Sequence, residues 1–215
     1  MTLRAALLLL AAAPAMIALP AAGLAQVGQD PAAAPAGTYA LDGRHASVIA
    51  RIGHGGGSSL STFRFGKVSG SLNWDPANPQ SSRVNVTVDM TSIMTPVPNF
   101  AEELIGDKFL NTGKFPTATF ATTAIQRTGP TTGRITGNLT FMGVTKPITI
   151  DARMVGAGKG GRGATVIGFS GTTRFKRSDY GFTANVGPIG DEVELILDIE
   201  FNKPAPAPAP APAAR

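Results

Sequence analysis

ITGNLTFMGVTKPITIDARM, residues Ile135 to Met154, decides the fold class of this chain. Ile135, Gly137, Leu139 and Phe141 fall on one side of an extended backbone, and Thr136, Asn138 and Thr140 fall on the other. After the turn MGVTKP, Ile148, Ile150, Ala152 and Met154 alternate with Thr149, Asp151 and Arg153. Successive strand side chains point to opposite faces, so a period of two gives each strand one dry and one wet face. Such a pattern belongs to an antiparallel sheet with one face in water, because a sheet covered on both faces reads as continuous apolar runs. In the turn, Gly143 supplies a positive φ, and Pro147, which has no N–H, is expected where the second strand begins.

The same alternation recurs outward from this hairpin. Val84, Val86 and Val88 oppose Asn85, Thr87 and Asp89; Val193, Leu195, Leu197 and Ile199 oppose Glu194, Asp198 and Glu200, with Ile196 alone breaking the pattern. Strands are predicted at 39–41, 47–54, 62–67, 70–74, 83–90, 117–126, 134–141, 148–155, 165–175 and 192–201. Pro- and Gly-rich turns punctuate them at Asp75 to Pro79, at Thr128 to Pro130 and in the loop after Val155. About eight to ten antiparallel strands with one apolar face close into a barrel, whose interior holds either packed side chains or one small ligand. Periodicity does not choose between the two.

One segment departs from the strand pattern. NFAEELIGDKFL, Asn99 to Leu110, opens on an N-cap type of residue after Pro98 and carries Glu102 and Glu103 in its first turn. A short helix near Asn99 to Thr112 is predicted, interrupted at Gly106 and followed by a second turn from Asp107 to Thr112. A helix across a barrel mouth and an ordinary packing helix both fit.

The two ends read differently from the middle. Residues 1–25 have the pattern of a secretory signal: Arg4, an apolar run from Ala5 to Leu19, a break at Pro20, and small residues Gly23 and Ala25 before Gln26. The apolar run is short of the ~20 residues a membrane span needs. Residues 26–37 and 203–215 are rich in Pro and Ala and are expected to be extended or disordered. One domain remains, 38–202. It contains no Cys, so an exported chain of this kind draws its stability from its core and not from disulfides.

Charge and motifs narrow the function classes. The formal net charge of +5 is scattered, with one local cluster at Lys159 to Arg162 in a predicted hairpin loop. Nucleic-acid binding calls for a basic face interleaved with aromatics, and none is present. Gly55 to Ser58 lacks the trailing Gly of a nucleophile elbow, and Lys159 is followed by Gly160, so the Gly-rich loop is no P-loop. The two histidines, His45 and His54, cannot form an i, i+4 helical metal pair, and no Cys is available as a further ligand. No catalytic and no metal-binding residues are assigned.

Seven pieces of the domain, in this order, resemble the YceI-like family of exported lipid-binding proteins. They are TYALDGRHASV, GHGGGSS with STFRFGKVSGSLNWDP, VNVTVDMTSI, DKFLNTGKFPTATF, TGNLTFMGVTKPITI, GFSGTTRFKRSDYGF and GDEVELILDIEF. The resemblance covers nearly all of 38–202. It implies an all-β, extended lipocalin-like antiparallel barrel of about eight strands, resident in the periplasm. Its lumen would sequester or carry a polyisoprenoid or similar long-chain amphiphile, such as an isoprenoid quinone, with no other cofactor. Transient contact with a membrane surface and a homodimer are compatible with it. One place departs from the family: an acidic-basic-acidic run with a His is replaced by PVPNFAEE, Pro96 to Glu103, so polar head-group contacts from that segment do not carry over.

On that reading the lumen is lined, by parity, by Ile52, Phe63, Phe65, Val86, Val88, Phe120, Leu139, Phe141, Ile150, Phe169, Leu195 and Leu197, with Leu104 and Phe109 from the helical segment. His54 shares parity with Val48 and Ile52 and is placed on the apolar face, held by a backbone carbonyl, touching a ligand head group, or ligating a metal. In RFKRSDYGF, Asp179 is expected to pair with an Arg across a bend, or Arg177 to donate to the head group from a polar rim. The alternative function is a structural or stress-associated barrel filled by its own aromatics, which eleven Phe residues make credible.

Overall fold

Period-two patterning is realised as long antiparallel strands wound into a closed wall. The computed structural model describes residues 26–204; the predicted signal segment and the Pro/Ala tail from Ala205 lie outside the described residues. In chain order the elements are β1 (Gln26–Gly28), β2 (Gly37–His54), β3 (Ser59–Phe65), β4 (Val68–Trp74), β5 (Arg83–Asp89), β6 (Ile93–Met94), α1 (Phe100–Ile105), β7 (Thr117–Arg127), β8 (Thr132–Phe141), β9 (Val144–Lys159), β10 (Thr165–Lys176) and β11 (Ile189–Lys203).

Strands β4, β5, β7, β8, β9, β10 and β11 follow one another antiparallel, and β11 pairs back onto β2, which pairs with β4. Eight strands therefore close the ring among the described residues. β2 is long enough to serve two neighbours: its first residues pair with β4 and its last seven with β3, which in turn carries β6. The predicted strand 83–90 ends as β5 at Asp89, and a 3-10 turn over Met90–Ser92 leads on to β6.

The hairpin 135–154 turns more tightly than its sequence suggests. Met142 and Gly143 both have positive φ, 48° and 78°, so a two-residue turn replaces the expected six-residue MGVTKP turn and β9 starts at Val144. Turns with two positive φ values match the twist of the flanking strands, which outweighs the strain of a left-handed Met. Pro147 lies inside β9, opposite Asn138, where the ladder to β10 has already stopped at Asp151. A residue without an N–H costs least on such a half-paired stretch.

The leader departs from expectation more strongly. Residues 26–37 are ordered against the barrel, because β9 outlasts β8 and offers an edge that β1 fills, with Val27 opposite Gly158. Asp30 then caps a 3-10 turn, Pro31–Ala33, by accepting from the Ala32 N–H at 2.9 Å. Ala34 is fully buried, Trp74 Nε1 donates to its carbonyl at 3.1 Å, and the Tyr39 hydroxyl donates to the Pro35 carbonyl at 2.6 Å. Small or ring-locked residues lose little entropy on ordering, so few contacts suffice to fix them.

The connection from Thr95 to Pro116 carries α1 across the opposite end. Gly106 ends the helix as predicted, with its N–H bonded to the Glu103 carbonyl at 3.1 Å. Asn99 does not cap it: the residue is left-handed (φ 62°) and its side chain makes no capping bond. Apolar residues of this segment, Leu104 and Leu110, are buried in the main core with Phe65, Phe141 and Ile150. A second cluster, Tyr39, Leu72, Trp74, Met154, Ile167 and Phe201, packs with Ala34 at the leader end.

Candidate functional site

Outer and inner faces of the wall carry different chemistry. Outside, Arg134 and Asp151 pair across β8 and β9 at 3.3 Å, and Glu194 receives Arg51 and Arg174 at 3.0 and 2.8 Å. A charged exterior of this kind is the opposite of the apolar band of a membrane-spanning barrel. Inside, the barrel keeps two apolar cavities. The one at the leader end has a volume of about 200 Å³, and the one at the helix end about 390 Å³. Val48, Val88, Ala118, Leu139 and Leu195 line both and form the waist between them.

All sixteen residues singled out in the sequence line one or other cavity. Val86, Phe120, Ile150, Phe169 and Leu197 face the leader-end cavity; Val88, Leu139 and Leu195 stand at the waist; Ile52, His54, Phe63, Phe65, Leu104, Phe109, Phe141 and Arg177 line the helix-end cavity. Parity places them because one register error would turn a strand's whole apolar set outward. Space for Phe120 comes from Gly137, which it faces across β7 and β8: a Cβ at Gly137 would run into the Phe120 ring. Ten of the eleven Phe residues line the lumen without filling it, and the eleventh, Phe115, lies against Gly143.

Other lining residues escaped the sequence reading. Ile199 and Phe201 continue the parity of Leu195 and Leu197, so the signal was present, whereas Leu72 and Trp74 come from β4, a strand from which no lining residue was predicted. Val97 comes from the irregular connection before α1, where no period exists to read; Phe100, on the same apolar side of the predicted helix as Leu104 and Ile105, was not chosen, and it meets Phe63 at 6.4 Å between ring centroids. Phe175 and Phe182 reach the helix-end cavity from either side of the polar bend.

Arg177 does something other than its two expected roles. Its side chain is 1% exposed, and its guanidinium donates to four backbone carbonyls: Gly190 at 2.8 Å, Phe182 at 3.2 Å, Ala184 at 2.7 Å and Ile189 at 3.3 Å. It also lies 4.8 Å from the Phe182 ring centre. A guanidinium carries five N–H donors in a rigid fork, so four are engaged in tying the 182–190 loop to the bend. Burial pushes its pKa down, and the charge of Asp191 opposes that shift. Asp191 is itself held below the usual carboxylate range by the Ser178 N–H at 2.9 Å and the Ser178 hydroxyl at 2.8 Å. Asp179 pairs with Lys146 at 3.6 Å and not with an Arg.

His54 also differs from expectation. It ends β2 and is exposed at the rim of the helix-end cavity, not buried on the apolar face, and no hydrogen bond engages its ring among the described residues. His45 sits with Asp42 and Glu200 outside the lumen, at 3.1 and 3.8 Å from Nδ1. These three could in principle surround an ion. Asp42, however, already accepts from the Arg44 N–H, Nε and Nη2 at 3.0, 3.1 and 2.9 Å and from Asn202 at 3.2 Å. A carboxylate clasped by a guanidinium is a poor cation ligand, and the arrangement reads as an ion-pair network.

Comparison with known proteins agrees with this architecture. The model of the YceI-like domain matches residues 39–201. A UPF0312 protein of Ectopseudomonas mendocina is 42% identical over 170 residues, 78% of this chain and 88% of that one. BcnA of Burkholderia cenocepacia shares the fold at 21% identity with a TM-score of 0.67, covering 74% of this chain and 98% of that one. A polyisoprenoid binding domain from Saccharophagus degradans, implicated in plant cell wall breakdown, shares it at 16% identity with a TM-score of 0.57, covering 77% and 98%. With one family model spanning the barrel from Tyr39 to Phe201 and a relative 42% identical over 170 residues, the chain belongs to the YceI-like family.

Proposed function

We propose that this protein binds a polyisoprenoid or similar long-chain amphiphile, an isoprenoid quinone being the simplest case, and holds or carries it in the barrel lumen. The observation that carries the reading is the pair of apolar cavities inside the barrel, both lined by Val48, Val88, Ala118, Leu139 and Leu195. The larger falls within the ~300–1,000 Å³ of small-molecule sites. A fold neighbour described as polyisoprenoid binding supports the same ligand class. Burial contributes about 0.8 kcal/mol per methylene, so ten sequestered methylenes supply about 8 kcal/mol before ordering costs. Such a binder needs no catalytic group. Removal of residues 1–25 on export would deliver it to the periplasm, where it would shield the chain of an amphiphile from water.

Titration of the purified protein with a prenyl quinone, beside an Ala118→Trp variant that obstructs the waist, tests the proposal. The protein should bind one quinone per barrel and the variant should lose at least tenfold in affinity while staying folded by circular dichroism. Equal binding by both, or none by either, refutes it. A barrel whose interior is filled by its own side chains, the alternative from sequence, would bind nothing.

A further inference from the structure

Cations that look scattered along the sequence gather at one end of the barrel. Strand register puts Lys159 beside Gln26 and Thr165, Thr165 beside Lys203, and Arg83 beside Asn73, next to Trp74. Arg127 ends β7 and Arg162 stands in the loop between β9 and β10, so all five basic residues belong to the leader end. Four of them are exposed and Lys203 is half-buried. Among the described residues the Lys and Arg side chains in ion pairs are Arg44, Arg51, Lys67, Arg134, Lys146 and Arg174, and none of these five. Two carboxylates share this end, and both are turned to local backbone: Asp30 accepts from the Ala32 N–H, and Asp75 from the Ala77 and Asn78 N–H groups. Residues 204–214 add no charge. At the helix end Glu102, Glu103, Asp107 and Asp191 are balanced by Lys108, Lys114, Lys176 and the buried Arg177. Apolar side chains are exposed at both ends, Val27 and Val155 at 51% and 49% beside the basic one and Leu60, Val97 and Val186 at the other, so charge is what separates them.

From this charge asymmetry we infer that the leader end docks reversibly on a bilayer surface bearing anionic phosphate head groups, with Val27 and Val155 seated at the interface. Each Lys or Arg beside such a surface contributes about fivefold in affinity. The field fades within a Debye length of about 8 Å, so cations gathered at one end act together where the same charge spread over the barrel would not. Three of the five are arginines, whose planar forks match phosphate oxygens. The rings of this end, Tyr39, Trp74 and Phe201, are buried and offer nothing for a nucleic-acid base to stack on. Docking in this way turns Pro31, Pro79 and Pro130, which line the leader-end cavity, toward the bilayer. The inference goes beyond the lipid-binding reading and does not depend on what the lumen holds.

Sedimentation with vesicles tests the docking, using protein purified from its native compartment. Phosphatidylcholine vesicles containing phosphatidylglycerol should bind it, vesicles of phosphatidylcholine alone should not, and binding should weaken as salt rises. Lys159→Glu with Arg162→Glu, both exposed, should cost at least about tenfold in affinity, whereas Lys108→Glu with Lys176→Glu, exposed at the helix end, should stay within about twofold of wild type. Equal losses in the two variants, a larger loss at the helix end, or equal binding to both kinds of vesicle overturns the inference. The chain has no Cys, so an environment-sensitive dye on Val27→Cys or on Leu60→Cys reports which end meets the bilayer. Emission from Val27→Cys should shift to the blue on the anionic vesicles and that from Leu60→Cys should not; the reverse pattern puts the helix end on the bilayer and refutes the docking. Binding to single-stranded DNA as tight as to the vesicles would make this face a general polyanion site and also refute it. Quinone uptake is measured separately: a protein that docks without taking up quinone loses the lumen reading alone, and one that takes up quinone without docking loses only this inference.

Discussion

Replacement of Arg177 by Met tests most sharply what the polar bend is for. The guanidinium is 1% exposed and bonded to the carbonyls of Phe182, Ala184, Ile189 and Gly190 at 2.7–3.3 Å. A hydrogen bond from a charged donor contributes about 1.5–3 kcal/mol, but the four share one side chain and do not add. Some of the freed carbonyls lie in the partly exposed 182–190 loop and would recover water, which lowers the cost further. Breaking a buried charged network typically costs ~3–5 kcal/mol, and Arg177→Met is expected near the lower end of that range. For a chain of this length each kcal/mol moves the melting temperature by ~2–4 °C, so a fall of about 10 °C is predicted. Urea unfolding and thermal denaturation give the stability, and hydrogen exchange should show faster opening of residues 182–190. Quinone affinity, measured well below the melting temperature, should stay within a few-fold of wild type, because the fork is engaged with the protein and not with a head group. A stability loss under about 1 kcal/mol together with a hundredfold loss of affinity would refute this account and restore Arg177 as a ligand donor.

Three further outcomes follow from particular contacts. Gly137→Ala should destabilise the barrel by about 1–3 kcal/mol in urea unfolding, since the new methyl group meets the Phe120 ring and the Ala121 carbonyl; an unchanged midpoint would show that β7 yields freely. Tyr180→Phe should match or exceed wild-type stability by up to about 1 kcal/mol, because the buried Tyr180 hydroxyl has no partner among the described residues; a clear loss would reveal one. Asp42 is held well below the usual carboxylate range, first by the Arg44 side chain against the opposing effect of burial. Its contribution is present above the unfolded carboxylate pKa of about 3.9 and is lost as pH falls below that value. Asp42→Asn should therefore be less stable than wild type at neutral pH, with the gap narrowing below about pH 4 in a pH series of thermal melts; a gap independent of pH would contradict the assignment.

The wall of the barrel was legible because strand parity is a local property: Val86, Val88, Leu139 and Ile150 alternate with polar neighbours, and one closed sheet satisfies all of them together. The emptiness of the lumen was not legible, since the volume left by large and small side chains appears only once opposite walls are set at their distance. Arg177 was misread for a related reason. A polar segment reads as a rim, and nothing local announces that its cation folds inward to find carbonyls thirteen residues away. The leader was misread because Pro/Ala composition reports the cost of ordering a segment and not the free edge of β9 that accepts it. Val97 carries no periodicity and reaches the cavity only through the path of its connection.

Organic extraction of protein purified from its native compartment, followed by mass spectrometry, addresses the lumen most directly. The account predicts a reproducible long-chain amphiphile, approaching one per barrel and depleted from the Ala118→Trp variant purified alongside. Repeated extraction of no lipid, with no uptake of added prenyl quinones or long-chain amides, would contradict it.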